Sequence, residues 1–337
     1  MKKNYNLETV RMVAFVMVIM IHVANYFCRG FEDITRGEYL CSVIFNVLSR
    51  VSVPCFFMLT GALLLGRQET VKKSMLRAGK FLMVLAVWSA VYYLFNTYYT
   101  HQDTFTLENF LKKPAEAHLW YLYVLIPVYF VMPFLQSLCR GLDEKGDLLL
   151  FIIGTVWTVG LYLMNYFDIG YYYSLPIFGG KSYIYYLFMG HLIQKYLSRL
   201  PGSSGAYFAG YLGTAAITVV ITMLRSSRYG RHMDGFFAYG SPFIMLSSLC
   251  FFLAILKLRK GKLVPGERTR KVMDLVSPCT LGIYICHIFF LDLYKINASV
   301  TTVSAYIALP VLTVVITLLT FILVWILRLL PPGRKLT

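Results

Sequence analysis

Four ionisable side chains interrupt strongly apolar stretches of this sequence: His22, Arg50, His191 and His287. An ionisable group in a bilayer costs roughly 2.5–3.5 kcal/mol on the insertion scale, so each of these residues is a functional candidate. A neutral imidazole can take a proton from a hydroxyl near physiological pH. A guanidinium keeps its charge and can stabilise a developing negative charge. These residue types could therefore supply a general base and a fixed cation.

The first apolar run places Arg11 and His22 on one face of a helix. A separation of eleven residues leaves an angular offset of about 20° and a distance of about 16 Å along the axis. Glu8 precedes Arg11 by three residues and can pair with it. This spacing predicts an acid–base pair at one mouth of the helix and an imidazole near the middle of the membrane. The alternative for His22 is a core histidine bonded to a backbone carbonyl.

Arg50 lies near the middle of the second apolar run. It must face protein, water or an anionic ligand, because it cannot lose its charge. Asn46 stands one turn away and can satisfy part of the guanidinium. Pro54 leaves one backbone carbonyl without its N–H partner, which predicts a kink that opens polar backbone to a cavity. The alternative is an ion pair with an internal acid, although the apolar runs offer few acids.

A polar stripe marks the ninth apolar run, where Ser277, Thr280, Tyr284 and His287 follow one another at helical spacing. The spacing predicts that all four residues lie on one face of a helix. Such a face can serve a reaction site, or it can simply hydrogen-bond a neighbouring helix. The sequence leaves both interpretations of His287 open.

Two more histidines have ordinary structural explanations. His118 and Trp120 open the fourth apolar run in an aromatic segment that is typical of a membrane-surface belt. His191 is followed one turn later by Gln194, and we interpret this histidine as a core residue.

The composition predicts a membrane protein. Of the 337 residues, 58% are apolar and only 14% are charged, and the mean hydropathy is +0.63. A soluble domain would be charged at about a quarter of its positions. A span needs about 20 mostly apolar residues, and in lipid a helix satisfies its own backbone. We therefore expect an all-α polytopic transmembrane helix bundle, with one integral-membrane domain over 1–337 and no separate soluble domain. The ten predicted spans are 12–28, 41–65, 80–99, 119–138, 148–167, 182–198, 206–224, 239–256, 275–293 and 305–328.

The charge distribution predicts the orientation of the chain. The formal net charge is +16, but the basic residues occupy short loops between apolar runs, which argues against nucleic-acid binding. With ten spans, 22 Lys and Arg lie on the side of both termini and nine lie on the other side. The positive-inside rule then places both termini in the cytoplasm.

Two basic loops leave alternatives open. The loop with Arg225, Arg228 and Arg231 falls on the less basic side, which indicates either a miscounted span or a functional basic mouth. The loop 257–274 is the most basic segment of the chain. It either orients the chain against anionic lipid or receives a phosphorylated cofactor.

The seven cysteines include no C-x-x-C pair, so no metal site is predicted. Cys28 and Cys41 flank the same predicted outer loop, and a disulfide between them is one alternative.

Four segments together resemble acyltransferase family 3, the bacterial membrane acyltransferases that modify cell-envelope sugars. Each segment is weak alone, but the four occur in the family's order and spacing over nearly the whole chain. Glu8 stands where the family often has Asp, and Thr60 stands where Ser is common. The segments are Leu7-Glu8-Thr9-Val10-Arg11 running to His22, Arg50-Val-Ser-Val-Pro54-Cys-Phe-Phe-Met-Leu-Thr60-Gly61, His118-Leu-Trp120-Tyr-Leu, and Leu281-Gly282-Ile-Tyr284-Ile-Cys-His287.

The resemblance implies a multi-pass enzyme of the bacterial plasma membrane. Its donor would be an acyl-CoA, usually acetyl-CoA, and its acceptor a hydroxyl of a cell-envelope glycan. The catalytic histidine of the family corresponds to His22, and the arginine of its second span to Arg50. Arg11 and Glu8 are expected to bind the donor. The expected substrate or supporting residues are His118, Trp120, Tyr284 and His287.

Two other functions fit the same pattern. Related membrane domains, fused to amino-acid racemases, are thought to handle serine, so a transporter of a small polar solute is the main alternative. A purely structural partner in an envelope complex would leave Arg11, His22 and Arg50 without a purpose. The acceptor, the choice of acetyl or succinyl, and the choice of monomer or homodimer stay open.

Overall fold

A computed structural model of the chain describes residues 4–100, 106–170, 183–258 and 266–337. Within these ranges the regular structure is helical and contains no strand. Several basic residues of the charge count lie outside the described residues: Lys2, Lys3, Lys181, Arg259, Lys260 and Lys262. The helices are α1 (Tyr5–Arg29), α2 (Arg36–Ser49), α3 (Ser52–Leu64), α4 (Val71–Phe95), α5 (Leu107–Lys112), α6 (Trp120–Gly141), α7 (Glu144–Tyr166), α8 (Tyr183–Tyr196), α9 (Ser204–Tyr229), α10 (Pro242–Leu256), α11 (Glu267–Val276), α12 (Thr280–Asn297), α13 (Ala305–Leu327) and α14 (Pro331–Leu336).

Nine helical stretches of the described ranges are long and apolar enough to cross a membrane. The sixth predicted span, 182–198, corresponds to α8, of which 14 residues are described. The prediction of an all-α transmembrane bundle with about ten spans is therefore confirmed. The nine stretches are Tyr5–Arg29, Arg36–Leu64, Val71–Tyr99, Ala117–Gly141, Glu144–Tyr166, Ser204–Tyr229, Gly235–Leu256, Glu267–Asn297 and Ala305–Leu327.

Most helices extend beyond the apolar runs that predicted them, because polar side chains cap their ends. The Asn4 side chain accepts hydrogen bonds from two backbone N–H groups at the start of α1. Thr35 and Glu38 form a reciprocal capping box at α2, and Thr70 caps α4. A cap satisfies N–H groups that the first turn would otherwise leave free. The apolar run therefore marks the part in lipid, and the caps mark the helix ends.

The second span is broken in its middle. Helix α2 ends at Ser49 and α3 begins at Ser52, which leaves Arg50 in the turn between them. Pro54 has no N–H to donate to the Arg50 carbonyl four residues earlier, so the helix breaks one turn before the proline. The predicted kink is thus present, and it falls at Arg50 itself.

Two glycines bring α3 and α8 into backbone contact. A Cβ added to Gly61 would lie 1.8 Å from the carbonyl oxygen of Leu187, and a Cβ added to Gly190 would lie 1.9 Å from that of Met58. Small residues allow transmembrane helices to approach this closely. Helix α3, which follows Arg50, is thereby held in the core of the bundle.

The start of α1 and the last residue, Thr337, lie at one end of the bundle, which we call the basic end. The Ser277 hydroxyl, just before α12, donates to Glu8 Oε2 in α1 at 2.6 Å. A Cβ added to Gly282, in the first turn of α12, would lie 2.7 Å from Cβ of Thr337. A shared end is what an even number of spans requires. That this end faces the cytoplasm stays a prediction from the charge count.

Two of the three arginines assigned to the basic loop, Arg225 and Arg228, lie in the last turns of α9, at the opposite end of the bundle. The Arg225 guanidinium is 5.1 Å from the ring centroid of Tyr166 and 5.9 Å from that of Phe236. These cation–π contacts give the Arg225 guanidinium aromatic partners within the protein. Cys28 and Cys41, near the same end, are both free thiols, so the disulfide alternative is not present in this structure.

Candidate active site

A cavity of about 530 Å³ opens in the half of the bundle away from the basic end. It is lined by His22 of α1, Arg50 of the α2–α3 turn, His118 just before α6, Trp120 of α6 and Tyr284 of α12. Five of the eight predicted site residues therefore share one cavity, although they are distant in sequence. We call it the histidine cavity.

Three imidazoles form a cluster at the wall of the histidine cavity. The ring centroid of His287 is 5.1 Å from that of His22 and 5.2 Å from that of His118. The His22 and His118 centroids are 6.3 Å apart. Each ring comes from a different part of the chain, so only the packing of α1, α6 and α12 brings them together.

The cluster is buried, which changes the interpretation of two histidines. His118 is 1% exposed and His287 is fully buried. A membrane-surface belt would leave its aromatic rings at the boundary with water, so His118 is not part of such a belt. The polar stripe of α12 likewise brings His287 to the other two histidines rather than only to a neighbouring helix.

Backbone carbonyls orient two of the three rings. His118 Nε2 lies 2.9 Å from the Ile285 carbonyl oxygen, and His287 Nδ1 lies 2.6 Å from that of Tyr284. The Tyr284 hydroxyl in turn donates to the carbonyl of His118. The two contacts of His118 hold the turn before α6 against α12. The contact of His287 fixes the orientation of its own ring.

Arg50 projects a positive charge into the same cavity. Its Nε donates to Asn46 Oδ1 at 2.8 Å, as the spacing predicts. The guanidinium carbon lies 4.9 Å from the ring centroid of Phe237. No carboxylate of the described residues forms an ion pair with Arg50. The predicted alternative, an internal acid, is therefore not found within those residues.

Aromatic rings form a second wall of the histidine cavity. Trp120 lies 4.9 Å from Tyr183 and 6.1 Å from Tyr239, measured between ring centroids. All three rings line the cavity. The sequence singled out Trp120 only, because Tyr183 and Tyr239 belong to helices and loops with no polar motif of their own.

An acidic side chain caps the turn that presents His118. Glu116 Oε1 accepts a hydrogen bond from the Ala117 N–H at 3.2 Å. Burial raises the pKa of the Glu116 carboxyl, and the nearby Asp292 carboxylate raises it further. The sequence did not identify Glu116 as part of the site, and its cap position is the signal that could have done so.

A second cavity, of about 270 Å³, opens nearer the basic end. Arg11, Arg77, Thr60 and Tyr121 are among the residues that line it. We call it the arginine cavity. Arg77 was only an orientation charge in the sequence, because nothing in its spacing distinguishes it from neighbouring basic residues.

Both arginines of this cavity are already held by carboxylates. Arg11 Nη1 donates to Glu8 Oε1 at 2.8 Å and to the Ser277 hydroxyl oxygen at 3.1 Å. Arg77 donates to both carboxylate oxygens of Glu69. The predicted pair of Glu8 and Arg11 is therefore present, with Ser277 as a third partner.

Two tyrosine rings lie between the cavities. Tyr284 lines the histidine cavity and Tyr121 lines the arginine cavity. Their ring centroids are 5.5 Å apart with an interplanar angle of 64°. The contact between these two rings therefore joins the wall of one cavity to the wall of the other.

His191 lies apart from the cluster. It is buried in α8 and lines a separate cavity with Gly66 and Lys195. In the described part of the chain, no group of three or more His, Cys, Asp or Glu is arranged to hold a metal ion.

Comparison with known proteins gives one match. A model of the family described as acyltransferase domain, acyltransferase family 3, matches residues 4–329. No curated protein and no solved structure matches the chain. The match covers both cavities and every predicted site residue.

Proposed function

The chain belongs to acyltransferase family 3, and from this membrane acyltransferase activity we propose a specific reaction. The enzyme moves an acyl group, acetyl in the simplest case, from acyl-CoA to a hydroxyl of a cell-envelope carbohydrate. It works in the bacterial plasma membrane. The donor approaches from the cytoplasm through the basic end, and the acceptor enters the histidine cavity from the other side.

The arrangement of the two cavities is the observation that carries this proposal. One cavity combines a buried histidine cluster with an arginine that has no carboxylate partner among the described residues. The other contains two arginines and lies toward the basic end. Since α1 is one unbroken helix from Tyr5 to Arg29, it carries Arg11 to one cavity and His22 to the other. A reaction with reactants from opposite sides needs such a division.

His22 acts as the general base in this proposal. It takes the proton of the acceptor hydroxyl as the oxygen attacks the thioester carbonyl. The tetrahedral intermediate then collapses, the carbon–sulfur bond breaks, and the proton passes from His22 to the departing thiolate. General-base help of this kind is worth about 100- to 10,000-fold in rate.

Arg50 stabilises the negative charge of the tetrahedral intermediate. Its charge is permanent, and Asn46 holds it in the turn between α2 and α3. A preorganised cation in a site shielded from water stabilises such a charge without reorganising during the reaction. The rings of Trp120, Tyr183 and Tyr239 offer a flat apolar wall for the faces of a sugar.

Arg11 and Arg77 bind the polyanionic donor. Both side chains are partly exposed in the arginine cavity, with about a quarter of each accessible. Arginine forms bidentate contacts with phosphate groups. Glu8 holds Arg11 in place and limits the net charge of this mouth.

The proposal is tested with purified protein in lipid nanodiscs and radiolabelled acetyl-CoA. Candidate acceptors are lipid-linked or soluble glycans with free hydroxyls, and the product is measured as labelled ester. We expect transfer by the wild-type protein and no transfer by His22→Ala of equal monodispersity. Transfer by the alanine variant at the wild-type rate would refute the role of His22.

The same preparation separates the enzyme from a transporter. Proteoliposomes that take up labelled serine without forming any labelled ester, with any acceptor or acyl-CoA supplied, would favour transport. The two cavities on either side of the tyrosine pair are the feature that such a transporter would share.

A further inference from the structure

The polar side chains that line the histidine cavity differ in whether the protein itself already satisfies them. Most of them bond to a backbone carbonyl or to another side chain. The engaged side chains are Arg50, Lys112, His118, Tyr123, Tyr239 and Tyr284. The remaining ones form no hydrogen bond within the described residues, and they are His22, Asn25, Trp120 and Tyr183. These free groups are the ones that a bound reactant would satisfy.

Among these free groups, the proposed reaction leaves only Asn25 without a role. Its side-chain amide offers two N–H donors and one carbonyl acceptor. The residue is partly exposed, and it lines the cavity. Solvent satisfies such an amide before a ligand binds. A ligand that displaces the solvent must offer a matching polar group, because an amide left without a partner is costly. Asn25 can therefore discriminate between ligands.

Helix geometry places Asn25 beside the proposed base. It follows His22 by three residues on the unbroken helix α1. This spacing leaves an angular offset of about 60° and an advance of about 4.5 Å along the axis. Side chains three residues apart on a helix are neighbours, with Cβ atoms about 5–6 Å apart. Since both side chains line the same cavity, a reactant that contacts His22 also lies within reach of Asn25.

The direction of α1 determines which reactant Asn25 meets. The helix starts at the basic end, so Asn25 lies farther from that end than His22 does. In the proposed function the donor comes from the basic end, and the acceptor enters from the other side. Asn25 lines the histidine cavity and does not line the arginine cavity. It therefore faces the acceptor, on the outer side of the hydroxyl that reacts.

We propose that Asn25 is a specificity-determining residue for the acceptor: its amide hydrogen-bonds the polar substituent on the ring carbon next to the hydroxyl that His22 deprotonates. The acceptor class is then a sugar with a hydroxyl or acetamido group beside the acylated position, because an amide matches both groups. A sugar with a deoxy carbon there would leave the amide unmatched. Trp120 and Tyr183 remain the wall against the face of the ring. The inference rests on the proposed function.

The inference is tested by changing the residue and the acceptor together. Wild type and Asn25→Ala are each assayed with an accepted glycan and with its two analogues that lack a substituent beside the acylated hydroxyl. Asn25→Ala should raise KM for the acceptor about tenfold and leave KM for acyl-CoA unchanged. One deoxy analogue should be about tenfold poorer for wild type but no poorer for Asn25→Ala, since the contact is already lost. Effects that simply multiply for both analogues would overturn the proposal.

Asn165→Ala is the matched control, because it makes the same truncation outside the cavity. The Asn165 amide donates to the Leu161 carbonyl within α7 at 2.8 Å. This variant should keep the wild-type KM for both reactants. If Asn25→Ala is not recovered as a monodisperse protein, Asn25→Leu replaces it in the same cycle. Leucine keeps the branched shape of the side chain and offers no hydrogen bond.

A binding measurement distinguishes this inference from the proposed function. The probes are methyl glucoside, the methyl glycoside of N-acetylglucosamine and their deoxy counterparts, titrated against protein in nanodiscs. Binding is measured by the change in tryptophan fluorescence, and the signal is assigned to the cavity if Trp120→Phe removes it. We expect Asn25→Ala to weaken binding of the glycosides about tenfold and to leave binding of the deoxy counterparts unchanged.

Each combination of outcomes decides something. Transfer by wild type with multiplying effects in the cycle would overturn the inference alone. If wild type transfers no acyl group but binds the glycosides through Asn25, the proposed function fails while the sugar contact stands. If wild type neither transfers an acyl group nor binds a glycoside, both are wrong.

Discussion

The histidine cavity and the arginine cavity treat positive charge in opposite ways. In the arginine cavity, Arg11 and Arg77 are each paired with a carboxylate, and both remain partly exposed. In the histidine cavity, Arg50 donates to the neutral Asn46, lies over the Phe237 ring and interacts with the Tyr239 hydroxyl. None of the ion pairs among the described residues includes it. A charge near mid-membrane without a carboxylate partner is costly, which makes Arg50 a functional candidate. Paired charges at a mouth are inexpensive and suit the capture of an anion.

The comparison also shows why the close packing of α3 against α8 matters. This helix supplies Val53 to the histidine cavity and Thr60 to the arginine cavity. Its backbone contact with α8 at Gly61 therefore supports both cavities at once. Changes in the scaffold should affect the two together, whereas changes in single side chains should affect one.

The largest effect is expected from Gly61→Leu, which should remove both cavities. A side chain there would overlap the backbone of α8, because even a Cβ would lie 1.8 Å from the Leu187 carbonyl oxygen. Size-exclusion chromatography should show loss of the monodisperse protein. Gly79→Leu is the matched control, since a Cβ at Gly79 has nothing within 4 Å. Equal recovery of both variants would contradict the role of this crossing.

His22→Ala should abolish the chemistry and leave the arginine cavity intact. We expect kcat to fall by about 100- to 10,000-fold, because the general base is lost. Binding of acyl-CoA, measured by calorimetry on the same protein, should stay at the wild-type level. A variant that lost donor binding together with activity would show that the two cavities are not separate in function.

Arg50→Gln should lower kcat by about 100-fold through the loss of a preorganised cation. The donor affinity should not change, because Arg50 does not line the arginine cavity. Arg225→Gln is a control at the same end of the bundle, since Arg225 contacts aromatic rings outside the histidine cavity. Full activity of Arg50→Gln would remove the distinction drawn between paired and unpaired arginines.

Arg11→Gln should act on the donor instead. We expect KM for acyl-CoA to rise about tenfold, which is roughly 1.4 kcal/mol, with kcat nearly unchanged. Raising the salt concentration should reduce the difference between variant and wild type, because the contact is with a charged group near water. A drop in kcat without a change in KM would place Arg11 in the chemistry.

The smallest effect is expected from His191→Phe. His191 is buried like the clustered histidines but lies in a different cavity. Its replacement should change kcat and KM by less than about twofold, provided the larger ring is accommodated. Activity assays beside His22→Ala would check this directly. A large loss of kcat would show that burial of a histidine, and not membership of the cluster, predicts importance.

Local chemistry made much of the architecture predictable from the sequence. The apolar runs identified the helices, because lipid offers the backbone no partner outside the helix. The spacing of Glu8 and Arg11 predicted their pair, and that of Asn46 and Arg50 predicted their hydrogen bond. Such contacts lie within one or two helical turns, so they follow from helix geometry alone.

Contacts between distant segments were not predictable in this way. From its position alone His118 is typical of a surface belt, and only the family resemblance predicted it as a site residue. Arg77 entered the prediction only as one of the basic residues in the charge count. Neither residue has a neighbour in sequence that marks it. Only the packing of α4 and α6 against α1 and α12 shows that Arg77 joins Arg11 and that His118 joins His22.

By itself, the sequence determined that this chain forms apolar helices and that Arg11 and His22 share one face of the first helix. Helical periodicity requires both results, whatever surrounds the helix. Only the tertiary structure decided which faces meet. It brought the ring centroids of three histidines within 6.3 Å of one another. It also placed the rings of Tyr121 and Tyr284 between the two cavities. Such pairings depend on how closely side chains and glycines allow helices to approach, which no single helix specifies.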